Sequence, residues 1–351
     1  MMGDDRLLAL FDGALVARAA LLDARHQGAA RLFSGFFEGA PELVVDCYGG
    51  TLVLHNYADP PANGEGAIEA ATRFFTERLP WIQAVIVKPR NAPTLPARHG
   101  ALRLGTSPET RVREHGVWYA LDLLAHRDAS LYLDTRNLRV WAARHLADMR
   151  VLNTFAYTGS LGVAAMAGGA GSVVQTDLKR EYLNLAKTSY TLNGFPIARA
   201  DFQVGDFWTR IGHMKRAGER FDCVFVDPPF FAATGKGTVD LVAQSHRVIN
   251  KVRPLINDGG YLVAINNALF VSGAAYMQTL EALCADGYLA IEELLPVPPD
   301  CTGYPETRVR PPLVDPAPFN HSTKIAVLRV RRKRDAMNGV QSEREKGHGK
   351  E

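Results

Sequence analysis

The stretch that decides the fold is Val151–Leu178, VLNTFAYTGSLGVAAMAGGAGSVVQTDL. A β-rich run ends in a turn that holds Phe155, Tyr157, Thr158 and Gly159. A helix of small residues starts near Ser160, and a second apolar run then ends on Asp177. Glycine in such a turn lets the backbone approach a ligand, and the first turn of the next helix offers unbonded N–H groups. An acid closing the second strand suits a pair of ribose hydroxyls, and equally the N-cap of the helix that follows. The spacing is not GxGxxG, which disfavours a dinucleotide. No GxxxxGK[ST] occurs, which excludes a P-loop nucleotide site.

The alternation continues downstream. REYLNLAKTSYTLNGF reads as a helix closed by Asn193-Gly194, and ADFQVGDF as a short strand carrying Asp206 and Phe207. WTRIGHMKRAG is helical, and FDCVFVDPPFF is a strand with Asp227 at its carboxyl end. Two prolines forbid helix and ladder alike, so Pro228 and Pro229 stiffen an extended exit beside Phe230. LVAQSHRVINKVRPLI reads as helical up to Asp258-Gly259-Gly260, and GYLVAINNA as a strand ending on Asn266 and Asn267. Such alternation builds a parallel sheet covered on both faces, and right-handed crossovers make it a Rossmann-like, doubly wound α/β sheet.

Upstream the pattern differs. Residues 1 to about 25 read as an amphipathic helix, and PELVVDCYGGTLVLHNY as a hairpin about Gly49-Gly50. A helix, AIEAATRFFTERL, a strand, AVIVKPR, and a second hairpin, ETRVREHGVWYALDL, complete an α+β unit. The expected division is therefore an N-terminal α+β domain at 1–125, available for substrate or RNA, and the sheet domain at 126–333. A charged tail at 334–351 lacks large apolar groups and is expected to be disordered.

Composition bounds the rest. The 351 residues are 47% hydrophobic with a formal charge of +3, an ordinary globular balance that neither demands nor excludes nucleic acid. Four dispersed cysteines show no metal spacing, so no metal is expected and a reducing cytoplasm is the default. The charged N-terminus reads as neither signal peptide nor membrane span.

VLNTFAYTGSLG, an acid ending the next strand and DPPF ending the fourth together resemble the class I S-adenosylmethionine-dependent methyltransferases, with their seven-stranded sheet. More narrowly, with HRDASLYLDTRNLR upstream, the chain resembles bacterial large-subunit ribosomal RNA methyltransferases that make 5-methylcytosine or 7-methylguanine. The resemblance covers roughly residues 30 to 330, with specific motifs between about 126 and 270. It implies S-adenosyl-L-methionine as cofactor and ribosomal RNA as partner, with no membrane and the oligomeric state open. Tyr132, Asp134 and Arg136 would lie beside the cofactor, with Phe155, Tyr157, Thr158 and Gly159 under its methionine part. Asp177 would hold the ribose, and Asp206 and Phe207 would meet the adenine. Asp227, Pro228, Pro229 and Phe230 would form the catalytic edge where donor and target base meet, with Asn266 and Asn267 at the substrate. Core packing is the preferred account of Trp208, whereas for Arg136 the place beside the cofactor is preferred to a surface ion pair with Asp134.

Two departures from the family pattern matter. The 5-methylcytosine branch uses a thiol in an F-S-C-S stretch, where this chain has Asn266 and Asn267. Cys223 sits in a buried strand, and Cys301, in a loop, has no evident base beside it. A nitrogen acceptor is therefore favoured over carbon. The small N-terminal RNA-binding domain of that branch has no evident room, which leaves Lys88, Arg90, Arg98, Arg103 and the ETRVRPP and RVRRKRD segments as phosphate candidates. His321 is a further polar candidate near the pocket. Methylation of a small molecule or protein amide, or a non-catalytic binding role on the same scaffold, stays open.

Overall fold

The computed structural model describes residues 4–234, 237–240 and 245–332, and two sheets organise them. The first contains β1 (Ala29–Ser34), β2 (Leu43–Tyr48), β3 (Thr51–Asn56), β4 (Ala84–Pro89) and β5 (Ala101–Leu104), in that order. Gly49, at φ +57°, turns the β2–β3 hairpin where the sequence places it. Leu52 and Leu54 point to one face, where Phe74 and Phe75 of helix Glu65–Arg78 meet Leu7 and Phe11 of helix Asp4–Arg18. Val53 points to the other face, as strand pleating requires. There, with Tyr48 and Ile86, it packs on Leu131, Ala156 and Leu183 of the second half.

A hairpin, β6 (Arg111–Glu114) and β7 (Val117–Ala120), leads into the larger half. Then come β8 (Arg150–Thr154), β9 (Ser172–Asp177), β10 (Phe202–Val204) and β11 (Phe221–Val226). A small hairpin, β12 (Phe231–Thr234) and β13 (Gly237–Asp240), precedes β14 (Ile256–Asn266), β15 (Leu289–Leu295) and β16 (Lys324–Val330). The seven-stranded sheet runs β10-β9-β8-β11-β14-β16-β15. Its first five strands are parallel, and β16 is antiparallel to both neighbours. Leu152, Val174 and Val224 face one layer of helices while Val151, Val173 and Cys223 face the other, so both faces are buried. The doubly wound fold expected from the sequence is present. Strand order reverses between β8 and β11, which opens a crevice at their carboxyl ends.

The sequence reading missed some boundaries. The helix expected to reach Asp258 spans Ser245–Val252, because Pro254 turns the chain into a single 3-10 turn at Arg253–Leu255. β14 then begins at Ile256, and its register against β11 shifts across the Gly259-Gly260 segment. Cys301 is not in an open loop: it lies in the short helix Pro299–Thr302 and is fully buried. The 334–351 tail lies outside the described residues. Among those described, no helix is long and apolar enough to cross a membrane.

Candidate active site

At the end of β8, the Thr154 hydroxyl donates to the Phe225 carbonyl at 2.7 Å, tying the two strands that flank the crevice. Beyond it Phe155, Tyr157 and Gly159 take φ of +52°, +50° and +77°. Left-handed backbone is costly for bulky side chains and persists only where its surroundings hold it. Here the Tyr157 N–H donates to Asp177 Oδ2 at 2.9 Å, and the Thr158 hydroxyl donates to the Ser130 carbonyl at 2.5 Å. The Tyr157 hydroxyl reaches the Ala129 carbonyl at 3.3 Å, and Phe155 stacks on Phe207 with ring centroids 4.5 Å apart.

Asp177 also accepts the Lys179 N–H at 2.9 Å. It therefore closes a local turn two residues long, and Lys179, not Asp177, is the N-cap of helix Arg180–Asn193. Burial pushes its carboxyl up, while the N–H groups of Lys179, Tyr157 and Leu178 pull it back. Each oxygen keeps a lone pair for a diol. Gly159 serves packing rather than ligand space on its Cβ side: a methyl there would lie 2.5 Å from Ala186 Cβ and 2.7 Å from Gln175 Oε1. Asp206 caps helix Phe207–Arg216 by accepting the Thr209 N–H at 3.1 Å. Phe207 is a core ring, and Trp208, read from the sequence as core packing, is partly buried and packs against the same core.

The opposite edge is built from β11 and β14. Pro228 is buried, whereas Pro229 and Phe230 are exposed. Asp227 is pushed up to about 7, first by burial and then by the charge of Asp134, which itself accepts the Thr323 hydroxyl at 2.7 Å. The Tyr132 ring reaches solvent, packs on Tyr157 at 5.3 Å and donates its hydroxyl to Asp128 at 3.3 Å. The Asn267 amide donates to the Pro228 carbonyl at 3.3 Å. Asn266 is buried and accepts the Ala268 N–H at 3.0 Å, so it shapes the strand end. Beneath it, fully buried Lys324 donates to the Ala268 carbonyl at 3.1 Å and to that of Ser322, and burial pushes its pKa down to about 8.

Other residues named from the sequence are engaged elsewhere. Arg136 does not pair with Asp134. Its guanidinium grips Asp300 at 2.9 and 3.1 Å, reaches Glu114 at 3.4 Å and donates to the Ala29 carbonyl, at the wall of a separate cavity of about 420 Å³. A bidentate, buried partner outcompetes the nearby acid. His321 accepts the Thr323 N–H at 3.1 Å, and burial pushes it down to about 4. Among the basic candidates, Lys88 is buried on the carbonyls of His99 and His126, Arg90 pairs with Asp128, Arg98 bonds the Ala92 carbonyl, and Arg103 lies near Glu65 and Glu69. Sequence reasoning missed Leu178, 60% exposed beside Asp177, and Tyr182, whose ring lies 4.5 Å from that of Tyr157. An apolar residue directly after a strand-end acid was the available signal for Leu178.

Burial and the charge of Asp134 thus disfavour ionisation of Asp227, a cost that a positive charge placed between them would relieve. A family model for S-adenosylmethionine-dependent methyltransferases matches residues 101–305. The chain belongs to that family. Its cofactor is S-adenosylmethionine. The chain is 28% identical over 238 residues to the ribosomal RNA large subunit methyltransferase I of Shigella flexneri, covering 67% of this chain and 60% of that protein. The Photobacterium profundum protein of the same name is 26% identical over 264 residues, covering 75% and 66%. This family member thus spans about three fifths of the length of the Shigella relative. In fold it is similar to SMU.776, crystallised with SAH, at a TM-score of 0.79 and 21% identity, covering 94% and 82% of the two chains. It is also similar to the SAM-dependent methyltransferase of Agrobacterium tumefaciens, at a TM-score of 0.57 and 18% identity, covering 83% and 87%.

Proposed function

We propose that this chain transfers a methyl group from S-adenosylmethionine to a base of ribosomal RNA, at a nitrogen rather than a carbon atom. The observation that carries this is the Asp227-Pro228-Pro229-Phe230 edge, joined by Asn267 to the next strand and facing the crevice that Asp177 and the Tyr157 turn also line. The names of the ribosomal RNA relatives support the substrate class.

When bound, S-adenosylmethionine supplies a methyl group on a positively charged sulfur. The residues of this chain do the rest by positioning. Asp177 would accept both ribose hydroxyls, with the exposed Leu178 against the flat nucleoside. Asp134 and Asp227 would face the positive charge. The free lone pair of the Pro228 carbonyl, and that of Pro229, would accept N–H groups of the target base. Phe230, 45% exposed, would stack on its face. A covalent carbon mechanism lacks its thiol. Burial pushes Cys301 and Cys223 well above the ordinary range, and both are fully buried. In this reading the 1–125 segment forms the substrate wall and 126–333 the cofactor domain, in the cytoplasm.

The test compares modified-nucleoside mass spectra of ribosomal RNA from cells with and without the gene. One methylated nucleoside should be missing without it. An unchanged spectrum removes RNA as substrate and leaves a small molecule or protein amide. Thiol chemistry returns if Cys301→Ala folds normally and is inactive.

A further inference from the structure

On β3, pleating places His55 on the same face as Val53, the face turned toward the methyltransferase sheet. There Arg31 grips Asp46 through two bonds of 2.7 and 3.1 Å, and Asp46 Oδ2 lies 3.2 Å from His55 Nε2. Burial opposes ionisation of Asp46, but Arg31 and His55 outweigh it and hold the carboxyl well below its usual range. Burial also pushes His55 down, so its ring is neutral near pH 7. An ionised Asp46 accepts only, so Nε2 carries the proton and Nδ1 presents a bare lone pair. That Nδ1 has no hydrogen-bond partner, and His55 is only 6% exposed. Leaving a buried acceptor unpaired is costly, and such atoms call for an occupant.

A second side chain beside Tyr57 also has a buried atom without a partner. Arg90 donates from Nη1 to the Arg127 carbonyl and from Nη2 to Asp128, but its Nε–H is unpaired. His55 and Arg90 both flank Tyr57, with ring centroids 6.5 Å apart for the histidine and Arg90 Cζ 5.7 Å from the tyrosine ring. Phe36, partly exposed, meets Tyr57 edge-on at 4.8 Å. Asp128, held by Arg90, also accepts the Tyr132 hydroxyl at 3.3 Å, and Tyr132 packs on Tyr157. One acceptor and one donor around an aromatic ring match the edge of a nucleobase with an amino group beside an acceptor atom. A phosphate does not match, because the lone pair repels an anion.

We infer that His55 is a specificity-determining residue of the acceptor site, where its Nδ1 accepts the exocyclic amino N–H of the target base. The inference rests on the reading of this chain as an RNA base methyltransferase. Asp46 and Arg31 are positioning residues that fix the tautomer. Neither unpaired atom meets solvent, so the base enters with a side-chain shift around Tyr57.

The experiment uses the full chain, radiolabelled S-adenosylmethionine and ribosomal RNA from cells lacking the gene. His55→Phe keeps a flat ring and removes the acceptor. It should lose at least tenfold in kcat/KM while S-adenosylhomocysteine affinity stays within twofold, and His55→Gln should recover part of the loss. In the wild type, the 15N resonance of His55 Nδ1 should report an unprotonated nitrogen and move when an oligoribonucleotide carrying the target base is added. This readout serves where a variant fails to fold. Full activity of His55→Phe, a still Nδ1 resonance, or uridine as the methylated base overturns the inference alone. A wild type inactive on ribosomal RNA overturns the functional reading and the inference with it.

Discussion

The Asn267 side-chain amide donates to the Pro228 carbonyl across 3.3 Å, joining the carboxyl ends of β14 and β11. The bond fixes a carbonyl that the proposed chemistry needs, and it occupies only one of its two lone pairs. Asn267→Ala should therefore slow methyl transfer while leaving cofactor affinity unchanged. Loss of one hydrogen bond is worth about 1 kcal/mol, or roughly fivefold in kcat. Asn267→Asp should be worse, because a carboxylate would face the carbonyl oxygen. Steady-state kinetics beside calorimetry checks both, and a matched loss of cofactor affinity would contradict this placement.

Asp227 makes cofactor binding depend on pH. Its carboxyl is pushed up to about 7 by burial and by Asp134, so it is largely protonated below neutrality. A cationic donor favours the ionised form. Affinity for S-adenosylmethionine should therefore climb from pH 6 to pH 8, by at most about tenfold per unit below pH 7, and then level off. S-adenosylhomocysteine, which lacks the sulfonium charge, should show a shallower rise. The same shift has a stability consequence. A carboxyl raised in the folded state stabilises most at low pH, and that contribution fades as pH rises from the unfolded value through 7. Asp227→Asn should raise Tm more at pH 8 than at pH 5, as thermal scans of the free protein will show.

The central sheet was legible because its punctuation is local. Asp177 and Asp227 close apolar runs, Asn193-Gly194 stops a helix, and two prolines bar continuation after β11. What was not legible depends on distant partners. Arg136 reads as a neighbour of Asp134, yet its bidentate acceptor lies 164 residues away at Asp300. The basic run around Lys88 and Arg90 reads as a phosphate stripe, but those side chains serve internal carbonyls and Asp128. The unpaired nitrogen of His55 leaves no trace in composition or spacing, since it emerges only when β3 lies against β2 and Asp46 takes Nε2.

Arg18 lies on the buried face of the first helix, with Leu7, Phe11 and Ala14. It meets Glu38 through bonds of 2.8 and 3.0 Å and donates to the Asp300 carbonyl at 2.9 Å, linking the first sheet to the segment after β15. Both side chains are fully buried. Arg18→Ala would strand the Glu38 carboxylate and should cost about 3–5 kcal/mol in urea unfolding. Replacing both as Arg18→Met with Glu38→Leu should recover much of that loss, because the buried charge is then gone. If the double variant is no more stable than Arg18→Ala, packing rather than charge governs the contact.

Gly159 offers the sharpest separation of packing from ligand contact. A methyl at that position would lie 2.5 Å from Ala186 Cβ and 2.7 Å from Gln175 Oε1, on backbone at φ +77°. Left-handed backbone costs an L-residue about 1–2 kcal/mol, and overpacking adds about 1–3 kcal/mol. Gly159→Ala should therefore destabilise the free protein by roughly 2–5 kcal/mol, before any cofactor is added. Ala186→Gly in the same chain removes the methyl clash but neither the Gln175 contact nor the backbone cost, so it should restore only part of the stability. Were Gly159→Ala as stable as the wild type and weak only in S-adenosylmethionine binding, the glycine would be making room for the ligand, and the helix–strand contact would not be its reason.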